Sequence, residues 1–236
     1  MQKIILVLLL TAFSSISFAQ KYNIDSSLNS LKMKKDSTLR ALKQQKDSTY
    51  HASLHTDSVK VDKEYVEKEK WEKLKAMSIF PVLNGGETSG VIPVKDITEI
   101  PDPNIEYKLL FELVNNNPDS VAKEINFSLT EYARIINLHV ASGIPVKKIK
   151  PVIVVHAAAL KAITTNAYYK EQYKIDNPNI KLIDDMRAIG ATFIACGQAM
   201  EFFDIKKEAL LPFVKISLTA QTVLSHYRLK GYVQYW

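Results

Sequence analysis

From Tyr107 onward the chain alternates short apolar runs with amphipathic stretches. "YKLLFELV" reads as a strand, whereas "SLTEYARIINLHVASG" sets Leu129, Ala133, Ile136 and Val140 on one helical face and meets a stop signal at Gly143. "IKPVIVVH" is apolar throughout, as a strand covered on both faces should be. "AAALKAITTNAYYKEQY" reads as helical, "NPN" as a turn, and "IKLIDDMRAIG" as a helix ending at Gly190. "TFIAC" makes a third strand and "EALLPFVKISL" holds a short fourth around Val214 to Ser217. "TAQTVLSHYRLKG" is a helix stopped by Gly231, and "YVQYW" is a fifth strand. Strand and helix in alternation require right-handed crossovers. The expectation is a three-layer α/β/α domain over residues 105–236 with a mostly parallel five-stranded sheet, its strand order open.

Residues 20–78 have a different pattern. They hold no glycine or proline, and "DSSL", "DSTL" and "DSTY" recur every eleven residues at Asp25, Asp36 and Asp47 before "DSVK" arrives one residue early at Asp57. Eleven residues make three helical turns at about 3.67 per turn, so Leu28, Leu39 and Tyr50 keep one face. This predicts a charged helical arm with a narrow apolar stripe, either a coiled coil or a solvated tether. The arm is expected to be dispensable for folding of the rest. Within it His51 and His55 have the i, i+4 spacing of shared metal ligands, but no third ligand or adjacent Glu accompanies them, and no metal site is expected. Between arm and domain, residues 79–104 read as a linker, with hinges at Gly85, Gly86 and Gly90 and helix-breaking Pro93, Pro101 and Pro103.

The first residues, "MQKIILVLLLTAFSSISFAQ", have an early lysine, a short apolar run and small residues at Ser17 and Ala19. They read as a signal peptide over residues 1–19, and the protein as periplasmic or secreted. No window reaches the about 18 apolar residues a membrane helix needs. The formal charge of +6 comes with lysines interleaved with acids, as in "DKEYVEKEKWEKLK", which describes a solvated helix rather than a nucleic-acid surface. Cys196 is the single cysteine, so an internal disulfide is excluded: it is either a small core residue or a free thiol available for chemistry.

Open parallel sheets bind ligands beyond the carboxyl ends of their strands. Cys196 closes the third strand there and His156 closes the second. Gly197 would let the chain turn, and a helix starting near Gln198 would aim its positive end at the sulfur and favour the nucleophilic thiolate. This makes Cys196 the candidate nucleophile, expected to be reachable by solvent, with His156 a base or orienter if the two strands are neighbours. Other chemistry is missing: there is no Gly-Lys-Ser/Thr phosphate loop and no G-x-S-x-G elbow, and Asp184 and Asp185 fall mid-helix. The first strand exits into "NNNPDS" without a dinucleotide fingerprint, so no cofactor is expected.

"NLHVASGIP", "VIVVHAAAL", "FIACGQAM" and "LKGYVQYW", in this order and spacing, resemble the exported branch of the DsrE/DsrF-like proteins, and "IPVKDITEIPDPNIEYKLLFEL" resembles its lead-in. The resemblance spans residues from about 90 to 236. It implies a five-stranded parallel fold, assembly into trimers or hexamers, and, by analogy with the sulfur-relay members, a persulfide carried at the position of Cys196. One departure stands out: where "HG-x-A" is frequent, this chain has His156, Ala157 and Ala158. The implied function is a sulfur carrier exchanging with a thiol or persulfide partner, and the alternative is a non-catalytic oligomeric binding or scaffold protein. Self-association is also expected from the aromatic residues Tyr168, Tyr169, Tyr173, Tyr232, Tyr235 and Trp236.

Overall fold

The computed structural model describes residues 24–43 and 48–235. The signal peptide expected at 1–19 and Trp236 lie outside the described residues, as do the side chains of His51 and His55. The chain divides into two compact units, a helical arm up to Ser78 and a head from Ile79. No helix among the described residues is long and apolar enough to cross a membrane.

The arm is two helices, α1 (Ile24–Lys43) and α2 (Ser48–Met77). They touch each other: the Lys35 ammonium lies 5.6 Å from the centre of the Tyr65 ring. Leu31, Lys35 and Leu39 form a half-buried stripe at four-residue spacing on α1, and no described residue of the arm is fully buried. Surface ion pairs such as Lys73–Glu69, at 2.8 Å, add only a few tenths of a kcal/mol each, about 0.3–0.5 for i, i+4 pairs. The arm therefore holds itself with very little buried area.

The head is a sheet of five parallel strands, β1 (Tyr107–Leu113), β2 (Ile149–Val155), β3 (Thr192–Cys196), β4 (Lys215–Ser217) and β5 (Val233–Tyr235), ordered β4-β3-β2-β1-β5. All five sequence-predicted strands are present, and every pairing is parallel. The helices are α3 (Phe127–Ala141), α4 (Asn166–Tyr173), α5 (Ile180–Ala188), α6 (Gly197–Phe202) and α7 (Ala220–Leu229). Alternation along the strands sends Phe111, Ile153, Val155 and Phe193 to one face, where α3 and α5 cover them with Tyr132, Ile136, Leu182, Ile183 and Met186. Leu110, Val152, Val154, Ile194 and Cys196 go to the other, where the buried cover is Ala220 and Leu224 of α7. The layers are thus unequal, one thick and one thin.

Two expectations need correcting. The stretch 157–173 is not one helix: residues 157–163 form 3-10 turns, Thr164 bridges to Leu210, and only then does α4 begin, capped by the Thr165 hydroxyl. The pair of β-branched threonines and the Asn177 amide, which donates to the carbonyls of Ala162 and Thr164 at 3.0 and 2.7 Å, hold that break. The segment expected as a linker is also, in its first half, part of the head. Leu83, Ser89 and Val91 are buried, and Ile79 pairs with Val91 as an antiparallel bridge. Asn137, fully buried on α3, accepts from the N–H groups of Val82 and Leu83 at 3.2 and 2.9 Å and donates to the carbonyls of Leu83 and Ser89 at 2.7 and 2.9 Å. Gly85 is required here for closeness rather than for hinging, because a Cβ at that position would sit 3.1 Å from side-chain carbons of Ala133 and Leu182.

Candidate functional site

The carboxyl ends of β1, β2 and β3 carry three groups with chemistry on the thin-layer side. Along β1 the sequence YKLLFEL places one charged side chain, Glu112, among buried neighbours, on the same face as Leu110. His156 follows directly after β2 with an extended backbone, and its N–H still donates to the Leu113 carbonyl at 3.0 Å, so it continues the ladder. Cys196 is the last residue of β3. Since Val155 is opposite Ala195, His156 and Cys196 are the next residues on two neighbouring strands and share a face. Their backbones are therefore separated laterally by about 4.8 Å, the ordinary strand spacing. Adjacent second and third strands were the condition for the two to act together, and the sheet order meets it.

His156 is anchored from the other side. Its Nε2 lies 3.0 Å from Oε1 of Glu112, and both side chains are about a fifth to a quarter exposed, at 18% and 25%. Glu112 is diagonal to His156 across the β1–β2 pair, within reach of long side chains. The second carboxylate oxygen, Oε2, accepts from Nε2 of Gln234 on β5 at 2.6 Å, and Gln234 Oε1 accepts from Nε of Arg228 at 2.5 Å. A polar row thus runs Arg228–Gln234–Glu112–His156 toward Cys196. The Glu112 backbone carbonyl also accepts from the Tyr132 hydroxyl at 2.7 Å. Burial, and then the nearby Glu112 charge, push Tyr132 well above the usual tyrosine range, so the ring remains a neutral donor.

Immediately after His156 the backbone is strained. Ala157 has φ 53, the left-handed region that favours glycine, and it occupies the place where the resembling proteins often have Gly. A residue with a Cβ in that region costs about 1–2 kcal/mol. The strain is local to the turn that carries the imidazole.

Three sequence-predicted roles are not supported by this geometry. Cys196 is buried, 4% exposed, within the cluster of Leu110, Val152, Val154, Ile194, Ala220 and Leu224, so the expected solvent-reachable thiol is not found. The reason is the cover of that face: Cys196 lies in one cluster with Ala220 and Leu224 of α7, a helix the sequence placed correctly but whose packing it could not show. Gly197 serves packing: a Cβ there would lie 2.7 Å from the Ser217 carbonyl oxygen, so the glycine lets the connection out of β4 pass close. Gln198 donates its backbone N–H to the Leu218 carbonyl at 3.1 Å, so that N–H is not available to a thiolate. The side chain of Cys196 makes no capping bond to the short helix it precedes.

Glu112, Gln234 and Arg228 were missed by sequence reasoning. A signal for Glu112 existed, since a lone carboxylate between two large apolar residues of a strand, Phe111 and Leu113, must find a partner when they are buried. Nothing comparable marks Gln234. Among the described residues no group of three or more His, Cys, Asp or Glu side chains is placed to hold a metal ion.

Comparison with known proteins gives a family match and distant structural likenesses. The model of the DsrE/DsrF-like family matches residues 108–234, more than half of the chain and all five strands but for the first and last residues of the sheet. The solved structure of a protein of unknown function from Methanobacterium thermoautotrophicum aligns with a TM-score of 0.40 and 12% identity, over 55% of this chain and 98% of that one. No curated protein matches the chain.

Proposed function

Because the chain belongs to the DsrE/DsrF-like family, which is associated with sulfur relay, we propose that it is a sulfur carrier holding one sulfane sulfur as a persulfide on Cys196. The observation that carries this reading is the placement of Cys196, His156 and Glu112 on one face at the carboxyl ends of three adjacent strands. That is the order of nucleophile, base and orienting carboxylate that thiol chemistry uses. In the loading step the Cys196 thiol gives its proton to His156, and Sγ attacks the outer sulfur of a persulfide donor. A new S–S bond forms, the donor's S–S bond breaks, and the leaving thiolate takes the proton back from the imidazolium. The products are the Cys196 persulfide and the donor as a free thiol, with no net oxidation. Attack by an acceptor thiol on the outer sulfur unloads the carrier by the same route.

The burial of Cys196 makes access the slow step, since the sulfur must be uncovered before it can be attacked. Export, read from residues 1–19, belongs to the same proposal and sets the carrier outside the cytoplasm. The test is the intact mass of the purified protein after polysulfide treatment. It should rise by one sulfur atom, reverse with a reductant, and stay unchanged in Cys196→Ser; an unmodified wild-type mass overturns the reading.

The second reading, a non-catalytic oligomeric binding or scaffold head, is favoured by the same burial. It is also favoured by exposed apolar side chains, Ile216 at 43% on the edge strand β4, Leu218 at 74% directly after it, and Phe202 at 82% at the end of α6. Of the aromatic residues first offered for self-association, three pack within the subunit: Tyr169 is buried, Tyr235 lies 5.8 Å from Phe111 between ring centres, and Tyr232 lies 4.9 Å from Tyr227. Iodoacetamide labelling only after denaturation, together with an oligomer by light scattering, would put this reading first.

A further inference from the structure

We infer that Glu112 is a positioning residue for His156: it fixes the imidazole in the tautomer protonated on Nε2 and leaves Nδ1 as the ring's proton acceptor, one strand away from Cys196. This rests on the sulfur-carrier reading for its purpose but not for its geometry. An ionised carboxylate can only accept hydrogen bonds, so at 3.0 Å from Glu112 Oε1 the Nε2 atom must be the donor. A neutral imidazole carries one N–H, and placing it on Nε2 makes Nδ1 the acceptor. Glu112 is itself held, since Gln234 donates to Oε2 and Arg228 in turn donates to Gln234, so the carboxylate cannot rotate freely away from the ring. The backbone restrains the same imidazole: the His156 N–H is tied to Leu113 and the next residue is the strained Ala157. The orienting groups therefore come from β1, from β5 and from the end of α7.

Two measurements test the inference. Heteronuclear NMR of the imidazole nitrogens should show His156 as the Nε2–H tautomer in the wild type and as a mixture in Glu112→Leu. A tautomer unchanged by the substitution overturns it, whatever Cys196 does. The second is the rate of Cys196 alkylation by iodoacetamide as a function of pH. Glu112→Gln and His156→Ala should each slow labelling at neutral pH by about tenfold, the scale of a misplaced base, and the double variant should be no slower than either single one. Additive losses, or a wild-type pH profile in Glu112→Gln, would show that the two residues act separately and that Glu112 is only structural. Failure of polysulfide loading with the tautomer and labelling results intact would remove the carrier function and leave the positioning role standing.

Discussion

The two faces of the sheet are built differently. On the thick side, α3, α5 and the strap of residues 79–91 bury large side chains such as Tyr132, Phe111 and Phe193 to within 1% exposure, and the polar groups they enclose are paired. Asn137 uses all four of its hydrogen-bonding positions there. On the thin side the buried cluster is seven residues, Cys196 among them, and at its rim a carboxylate, Glu112, meets an imidazole, His156. A side covered by one helix leaves partly exposed positions at the strand ends, and Glu112 and His156 are tolerated there because water still reaches them.

The largest effect should come from the thick side. Asn137→Leu strands four backbone groups, three of them buried, and should cost about 4 kcal/mol, given roughly 1–3 kcal/mol for each unsatisfied group and partial relaxation. For a head of this size that is a fall in Tm of about 10 °C. Deleting residues 79–90 should destabilise the head comparably, whereas a head beginning at Ile79 should melt close to the full chain; equal melting of the two truncations would show that the strap contributes nothing.

A smaller effect is expected at high pH from Tyr169, which is not part of the thin layer. Burial, and then the neighbouring Tyr173, push its hydroxyl up from 10.0 to about 12. The folded state therefore holds this proton more tightly than the unfolded chain does. Its contribution is complete below pH 10.0 and is lost as pH rises toward about 12. Two pH units correspond to at most about 2.7 kcal/mol. Tyr169→Phe loses the bond to the Ala122 carbonyl, at 2.7 Å, and should cost about 1 kcal/mol at neutral pH. Its chemical denaturation midpoint should then vary less between pH 10.0 and about 12 than the wild type's, the window set by that pKa shift. Parallel curves would assign the alkaline loss to other groups.

On the thin side the expected changes in stability are slight, and that is the contrast to be measured. Cys196→Ser puts a hydroxyl into an apolar cluster and should cost about 1–2 kcal/mol while leaving the fold intact. A loss as large as that of Asn137→Leu would mean that the thin layer is as tightly built as the thick one.

The smallest effect is expected at the strained turn. Ala157→Gly relieves about 1–2 kcal/mol of left-handed strain and gives back about 0.5–1 in chain entropy, so Tm should rise by a degree or two. A lower Tm would show that the Ala157 methyl makes contacts that outweigh its backbone conformation.

The amino-acid sequence by itself determined the elements of the head. Five apolar runs became five parallel strands and the glycine stops at 143, 190 and 231 ended helices, because periodicity and left-handed turn residues act within a few positions along the chain. It also placed His156 and Cys196 at strand ends. Tertiary structure decided what those ends could do. Strand order made the two residues neighbours, the packing of α7 covered the sulfur, and Ser217 and Leu218 took the space and the N–H that Gly197 and Gln198 were expected to offer a ligand. Glu112 pairs with a histidine 44 positions away and with a glutamine 122 away, and Asn137 holds a segment some 50 residues earlier that reads locally as a flexible linker. Such contacts have no local pattern. They exist only once the sheet has assembled and buried polar groups must find partners wherever the fold has placed them.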